Sequence, residues 1–188
     1  MDSDQILKET GEAMDKAVEY MIHEFASVLT GKASPALVEG IDIQVAAYGS
    51  SMKLKQLAMI TTPEPRLIMI QPFDPSTMQD IEKGIAESKL GINPAVDGKI
   101  IRLPIPELSE ERRVDLVKVI KQIAEDGRVR VRAARRDGID KVKESQKAGE
   151  ITEDDLHRLE KEVQTLTDKN VKTIDDHVKS KETEIMTV

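Results

Sequence analysis

The part of this chain best equipped for chemistry is residues 128–143, RVRVRAARRDGIDKVK, where seven Lys/Arg stand against two Asp. The 188-residue chain is net −7, so a segment at net +5 leaves −12 for everything else, a contrast that composition drift does not produce. The surrounding residues read as helix. At about 100° per residue, Lys121, Arg128, Arg132, Arg135, Arg136 and Lys143 fall within an arc of roughly 100°. Leu116, Ile120, Ile123, Val131, Ala134 and Val142 fall on a second arc beside it, so one face is buried and its neighbour is cationic. Arg130 points away from the cationic arc. Guanidinium groups held in line suit an extended polyanion, because arginine grips phosphate bidentately and never loses its charge. Nucleic acid is the ligand such a row can hold. The competing reading is internal pairing with the acidic C-terminal stretch, residues 150–188, which is net −5. Crowding Arg132, Arg135 and Arg136 costs a few tenths of a kcal/mol for each like-charged i,i+4 pair, a cost that an external anion relieves. No aromatic residue is interleaved, which disfavours stacking on unpaired bases. The expected contact is with the phosphates of folded RNA or a duplex, read by shape.

Other chemistry fares worse. With no cysteine there is no disulfide framework, thiol nucleophile or thiolate-bound metal, as suits a reducing cytosol. His23, His157 and His177 stand alone on expected helices, without the paired spacing of a metal site. Asp154/Asp155 and Asp175/Asp176 are sequence neighbours, so on a helix they diverge instead of converging on a substrate. Thr30-Gly-Lys-Ala-Ser34 is not a phosphate loop: the first glycine of that motif would fall at Ala26, and Ala33 takes the place of the Ser/Thr. Neither a G-x-S-x-G elbow nor a glycine-rich dinucleotide turn occurs. No catalytic residues, cofactor or small-molecule substrate are expected. The N-terminus is acidic and amphipathic, and no apolar run approaches the roughly 20 residues that span a bilayer. A soluble, cytoplasmic protein without membrane contact is expected.

The elements that must position the basic row follow from periodicity. Residues 4–29 carry Ile6, Met14, Ala17, Val18, Met21, Phe25 and Val28 at helical spacing, ending near Gly31 and Pro35. A second helix begins after Ser109, an N-cap followed by Glu110 and Glu111, and runs to about Gln146. Ala148-Gly-Glu150 breaks it, and Thr152 caps a third. The apolar row Leu156, Leu159, Val163, Leu166, Val171, Ile174, Val178 and Ile185 repeats every three or four residues, the spacing of a bundle seam. A short turn makes these two helices antiparallel. Between the first and second helices lie the 74 residues 31–104, far more than the roughly 12–15 tolerated in a structureless loop. They read as a small mixed domain. It has a strand from Ile41 to Ala47, a strand over Leu67–Ile70, a helix over 76–88, a turn at Gly91–Pro94 and a strand over Lys99–Leu103. The fold class is α+β, a long helix bundle (residues 1–30 and 105–188) with an inserted α/β domain (31–104). The two connections, Thr30-Gly31 and Pro104-Ile105-Pro106, make a natural hinge.

Several segments together resemble the bacterial ribosome recycling factor family. They are Leu29-Thr-Gly-Lys-Ala-Ser-Pro35, Leu90-Gly-Ile-Asn-Pro94, Ile101-Arg-Leu-Pro-Ile-Pro106 leading into Leu108-Ser-Glu-Glu-Arg-Arg113, Val131-Arg-Ala-Ala-Arg-Arg-Asp137, Ile151-Thr-Glu-Asp-Asp155 and Val163-Gln-Thr-Leu-Thr-Asp168. They span nearly the whole chain in order. The resemblance implies an L-shaped protein, a three-helix bundle joined by a hinge to a small sandwich domain. It also implies a translation factor that acts on the post-termination ribosome and, with elongation factor G and GTP, splits the subunits without bond chemistry of its own. Large-subunit ribosomal RNA would meet the arginines of the R-A-A-R-R block, which map to Arg132, Arg135 and Arg136. Arg128 extends the same arc. Where the family usually has R-T-G-R, this chain has Leu29 and Lys32; Lys32 keeps the charge without the bidentate fork, and Leu29 loses it. A monomer is expected. The alternative is a coiled-coil adaptor or chaperone-like structural protein, which would hold protein partners on its helical seams.

Overall fold

A computed structural model of the chain describes residues 3–187. They divide into two compact units, one of residues 3–25 and 114–187, the other Ala26–Arg113.

The first unit is built from α1 (Ser3–Ala26), α4 (Glu110–Lys147) and α5 (Glu153–Met186), the last two about 57 and 51 Å long at 1.5 Å per residue. Their starts are set by local chemistry. Ser109 Oγ accepts the Arg112 N–H at 3.2 Å, and Thr152 and Asp155 satisfy each other's backbone donors in a capping box. Between α4 and α5, Gly149 takes a left-handed φ of +74°, and the Glu150 N–H reaches back to the Ser145 carbonyl at 2.9 Å, closing the helix as a C-cap requires. The buried row of α5 runs Leu159, Val163, Thr167, Asn170, Ile174, Ile185. The expected seam positions Leu156, Leu166, Val171 and Val178 are only half-buried; along the helix a 3.6-residue period drifts and carries Thr167 and Asn170 inward. Thr167 turns its hydroxyl to the Val163 carbonyl and Asn170 its amide to the Leu166 carbonyl, so neither is left unsatisfied.

On α4 the buried row is Leu116, Ile120, Ala124, Gly127, Val131, Gly138, Val142, Ser145, with Ile123 and Ala134 half-buried beside it. At both glycines α1 packs directly on α4. A Cβ at Gly127 would touch Met21 at 3.4 Å, and one at Gly138 would meet Thr10 at 2.6 Å. Thr167 on α5 reaches Met14 of α1, and Ile6, Val142 and Leu159 close one end of the core. Each helix therefore packs on both others, a three-helix bundle in which α4 is antiparallel to its neighbours.

The second unit holds β1 (Asp42–Val45), β2 (Ser50–Lys53), α2 (Leu54–Leu57), β3 (Ala58–Glu64), β4 (Leu67–Pro72), α3 (Met78–Ala86), β5 (Ala95–Asp97) and β6 (Ile100–Pro104). The first two strands form a hairpin, and the others an antiparallel sheet in the order β3-β4-β6-β5. Its core gathers Ile43, Val45, Leu54, Ile68, Ile70, Ile81, Ile85, Ile101 and Leu103. Helix α3 comes so close to β1 that a Cβ at Gly84 would run into the tip of Ile43. The strand expected over 41–47 is shorter, since Ala46 onward turns into the hairpin. Three strands were not expected, and each has a reason. Ser50–Lys53 and Ala95–Asp97 have no buried alternation. Ala58–Glu64 contains Pro63, which reads as a strand breaker but is tolerated because β3 lies at the sheet edge, beside a register shift between Thr61 and Glu64.

Both connecting segments belong to this second unit. Thr30 is buried, Gly31 has φ +82° beside Leu108, Pro104 pairs with Leu67 in the sheet, and the buried Ile105 donates its N–H to the Arg66 carbonyl at 2.8 Å.

Candidate nucleic-acid interface

The cationic arc on α4 splits lengthwise. Its inner edge faces α5. Lys121 pairs with Glu182 at 3.1 Å, Arg128 reaches Asp175 through both Nε and Nη2, Arg135 Nη1 donates to Gln164 Oε1 at 2.9 Å, and Lys143 lies 4.0 Å from Glu160. The α4 members of this ladder recur about two turns apart, where flanking charges of a coiled-coil seam sit. Internal pairing thus accounts for this edge. Arg128 is the most committed, its side chain only 23% exposed, and the Asp175 carboxylate beside it holds its guanidinium charged still more firmly than usual.

The outer edge is different. Arg132 turns Nη2 to Glu125 on its own helix and is 52% exposed. Arg136 is exposed and has no ion-pair partner among the described residues. Glu125 is shared: one carboxylate oxygen meets Arg132, the other lies 3.3 Å from Arg128 Nη1. The Arg132 hydrogen bond, with Arg128 behind it, holds the Glu125 carboxyl below its ordinary pKa, so it stays an anion. At Arg135 the Nε–H is buried without a partner although the fork end holds Gln164, and it contributes a fixed positive dipole beneath the row.

Arg130, expected to point away from the arc, does so, its guanidinium 4.2 Å from the centre of the Tyr20 ring on α1, a cation–π contact. Lys141 likewise turns to α1, pairing with Glu9 at 2.8 Å and holding that carboxyl below its usual pKa. Lys32 belongs to the second unit and is exposed there. The arrangement therefore offers a row of guanidinium groups, anchored on one side and open on the other, suited to binding phosphates. Among the described residues no group of His, Asp and Glu is placed to hold a metal ion, and no helix is long and apolar enough to cross a membrane.

Glu125 was not singled out from the sequence, although its spacing, three residues before Arg128 and seven before Arg132, places it on the same arc. The roles of Asp175 and Gln164 carry no such signal, because their alignment depends on the register of two helices.

Comparison with known proteins places these features in a wider set. Residues 21–186 match the family described as ribosome recycling factor. The chain is 57% identical to the ribosome-recycling factor of Akkermansia muciniphila over 188 residues, covering 100% of both chains. To that of Rubrobacter xylanophilus it is 47% identical over 182 residues, 97% of each. Its fold is similar to a solution structure of a ribosome recycling factor, with TM-score 0.79 and 41% identity over 100% of this chain and 99% of that one. It is also similar, with TM-score 0.68 and 38% identity over 100% of both chains, to a chain from models for the T. thermophilus ribosome recycling factor and the E. coli elongation factor G bound to the E. coli post-termination complex.

Proposed function

The chain belongs to the ribosome recycling factor family, and from that premise we propose that it binds the post-termination ribosome through large-subunit ribosomal RNA. With elongation factor G and GTP it then splits the subunits and frees the ribosome from its message. The observation that carries the RNA contact is the outer edge of α4, where Arg136 is exposed, with no ion-pair partner among the described residues, and Arg132 is half exposed. Arg135 and Arg128 stand behind them, tied to α5, and supply positive field more than direct grip. Lys32 adds a second, weaker cationic contact from the other unit. The family's arrangement on the ribosome supports elongation factor G as the partner, with GTP hydrolysis done by that factor and none by this chain. It acts as a monomer in the cytoplasm.

The bundle is the anchor and the second unit is the part that moves. The chain passes between the units twice, at 25–26 and 113–114, and Thr30-Gly31 and Pro104-Ile105-Pro106 are the second unit's side of the hinge. Gly31 supplies the left-handed turn, and Pro104 and Pro106 restrict the path of the swing. Thr30 and Ile105 are held in the second unit, so bending concentrates on the few residues between it and the long helices. Sedimentation of the full chain with large ribosomal subunits across a salt series tests the RNA contact. Arg136→Ala is expected to weaken binding and flatten its salt slope by up to about 0.9. An unchanged slope for both Arg136→Ala and Arg132→Ala would exclude this face.

A further inference from the structure

Within residues 114–147, Glu125 is the one acidic side chain on the cationic arc, at about 60° from Arg128 on the helix wheel and between Arg132 and Arg136 in angle. Its two oxygens are spread over two guanidinium groups, Oε1 on Arg132 and Oε2 on Arg128. One carboxylate thus sits on both guanidinium groups at once. Arg128 keeps Asp175 as well, whereas Arg132 has Glu125 as its partner among the described residues. Both members of the Arg132–Glu125 pair are about half exposed, 52% and 49%, so the pair opens to solvent and can exchange.

Resting on the reading of this face as the RNA contact, we infer that Glu125 is a positioning residue that competes with RNA phosphate for Arg132. In the free protein it holds the Arg132 guanidinium extended along the helix, which lowers the entropy cost of meeting a phosphate. On binding, phosphate displaces it. The freed carboxylate then draws back a solution cation, so the cation released from the RNA is offset and Arg132 adds little to the net salt dependence. The interface is weaker than its count of arginines implies, and it lets go readily. A factor that must leave the ribosome after each round needs that property, and a row of unopposed arginines would lack it.

The test uses the intact chain with Glu125→Gln, which keeps the length, helix propensity and hydrogen-bonding amide of the site while removing its charge. Binding to purified large ribosomal subunits is measured over a potassium series. The expected result is affinity about two- to fivefold tighter at low salt, slower dissociation, and a salt slope steeper by up to about 0.9, since Arg132 now counts in full. In the Arg132→Ala background the same Glu125→Gln change should leave the slope where Arg132→Ala alone sets it. Tightening that persists undiminished in that background would mean Glu125 merely repels phosphate, and would overturn the inference. So would an unchanged slope for Glu125→Gln in a protein whose binding Arg136→Ala still weakens. If Arg132→Ala and Arg136→Ala both leave subunit binding untouched, it is the RNA face itself that fails.

Discussion

Along the bundle the buried row of α4 passes through Gly127, Gly138 and Ser145, with Thr10 of α1 packed against the second glycine. The sheet unit instead closes over Ile43, Leu54, Ile68, Ile70, Ile101 and Leu103, each fully buried. Both cores are aliphatic, the bundle's with Ile6, Ile120, Val163 and Ile174 fully buried, but the bundle admits small residues along its seam and carries charges on its flanks, whereas the sheet unit's core is filled by large side chains. A bundle made the first way presents a charged outer face along α4. A domain made the second way is a compact body whose shape survives being pushed. The proposed anchor and the proposed moving part thus differ in how their cores are filled.

The largest test of this contrast is Ile101→Ala, which should cost about 2–5 kcal/mol by leaving a cavity in the sheet unit's core. Amide exchange in β4 and β6 should accelerate while exchange in α4 and α5 holds. Equal acceleration in both units would show that they share one cooperative transition and that the contrast is only geometric. Next comes Gly138→Ala. The new Cβ would stand 2.6 Å from Thr10 Oγ1, 2.7 Å from its Cγ2 and 3.2 Å from its Cβ, and a Cβ cannot swing aside. Overpacking should outweigh the gain of up to about 1 kcal/mol in helix propensity, giving a net loss of about 1–2 kcal/mol in denaturant melts. The counterpart Gly84→Ala clashes with the Cδ1 tip of Ile43, while Cγ1 and the backbone Cα stand at 3.6 and 3.7 Å, ordinary contact distances, and since a side-chain tip can shift it should lose less than about 1 kcal/mol. If Gly84→Ala proves the more costly, the rigidity of the neighbour met is not what separates the two glycines. The smallest effect separates the two edges of α4. Arg128→Ala should lower stability by about 0.5–1 kcal/mol through loss of Asp175, while Arg136→Ala should stay within about 0.5 kcal/mol of the parent protein. Thermal melts of the two variants side by side would show it, and a reversed order would mean that the inner edge is not the structural one.

Much of this was legible from residue order alone, because it depends on interactions within a few turns of chain. Ser109 and Thr152 mark helix starts through their own side-chain oxygens, Gly149 marks a helix end through its φ, and the apolar rows of α1, α4 and α5 are set by a fixed angle per residue. The same angle placed Arg128, Arg132, Arg135 and Arg136 on one arc and turned Arg130 away. Where the local signal was weak, the reading failed for a local reason: β2 and β5 bury nothing on alternate residues, and Pro63 obscured an edge strand whose N–H has no partner to lose. Tertiary structure decided what each arginine does. Arg128 became an internal strut because helix register brings Asp175 opposite it, and Arg136 stayed open because its place on the wheel lies about 80° farther from that neighbour. Thr167 and Asn170 entered the bundle core for the same kind of reason. A side chain's direction follows from its own helix, but what it meets there depends on a second helix whose alignment is settled only when the whole core packs.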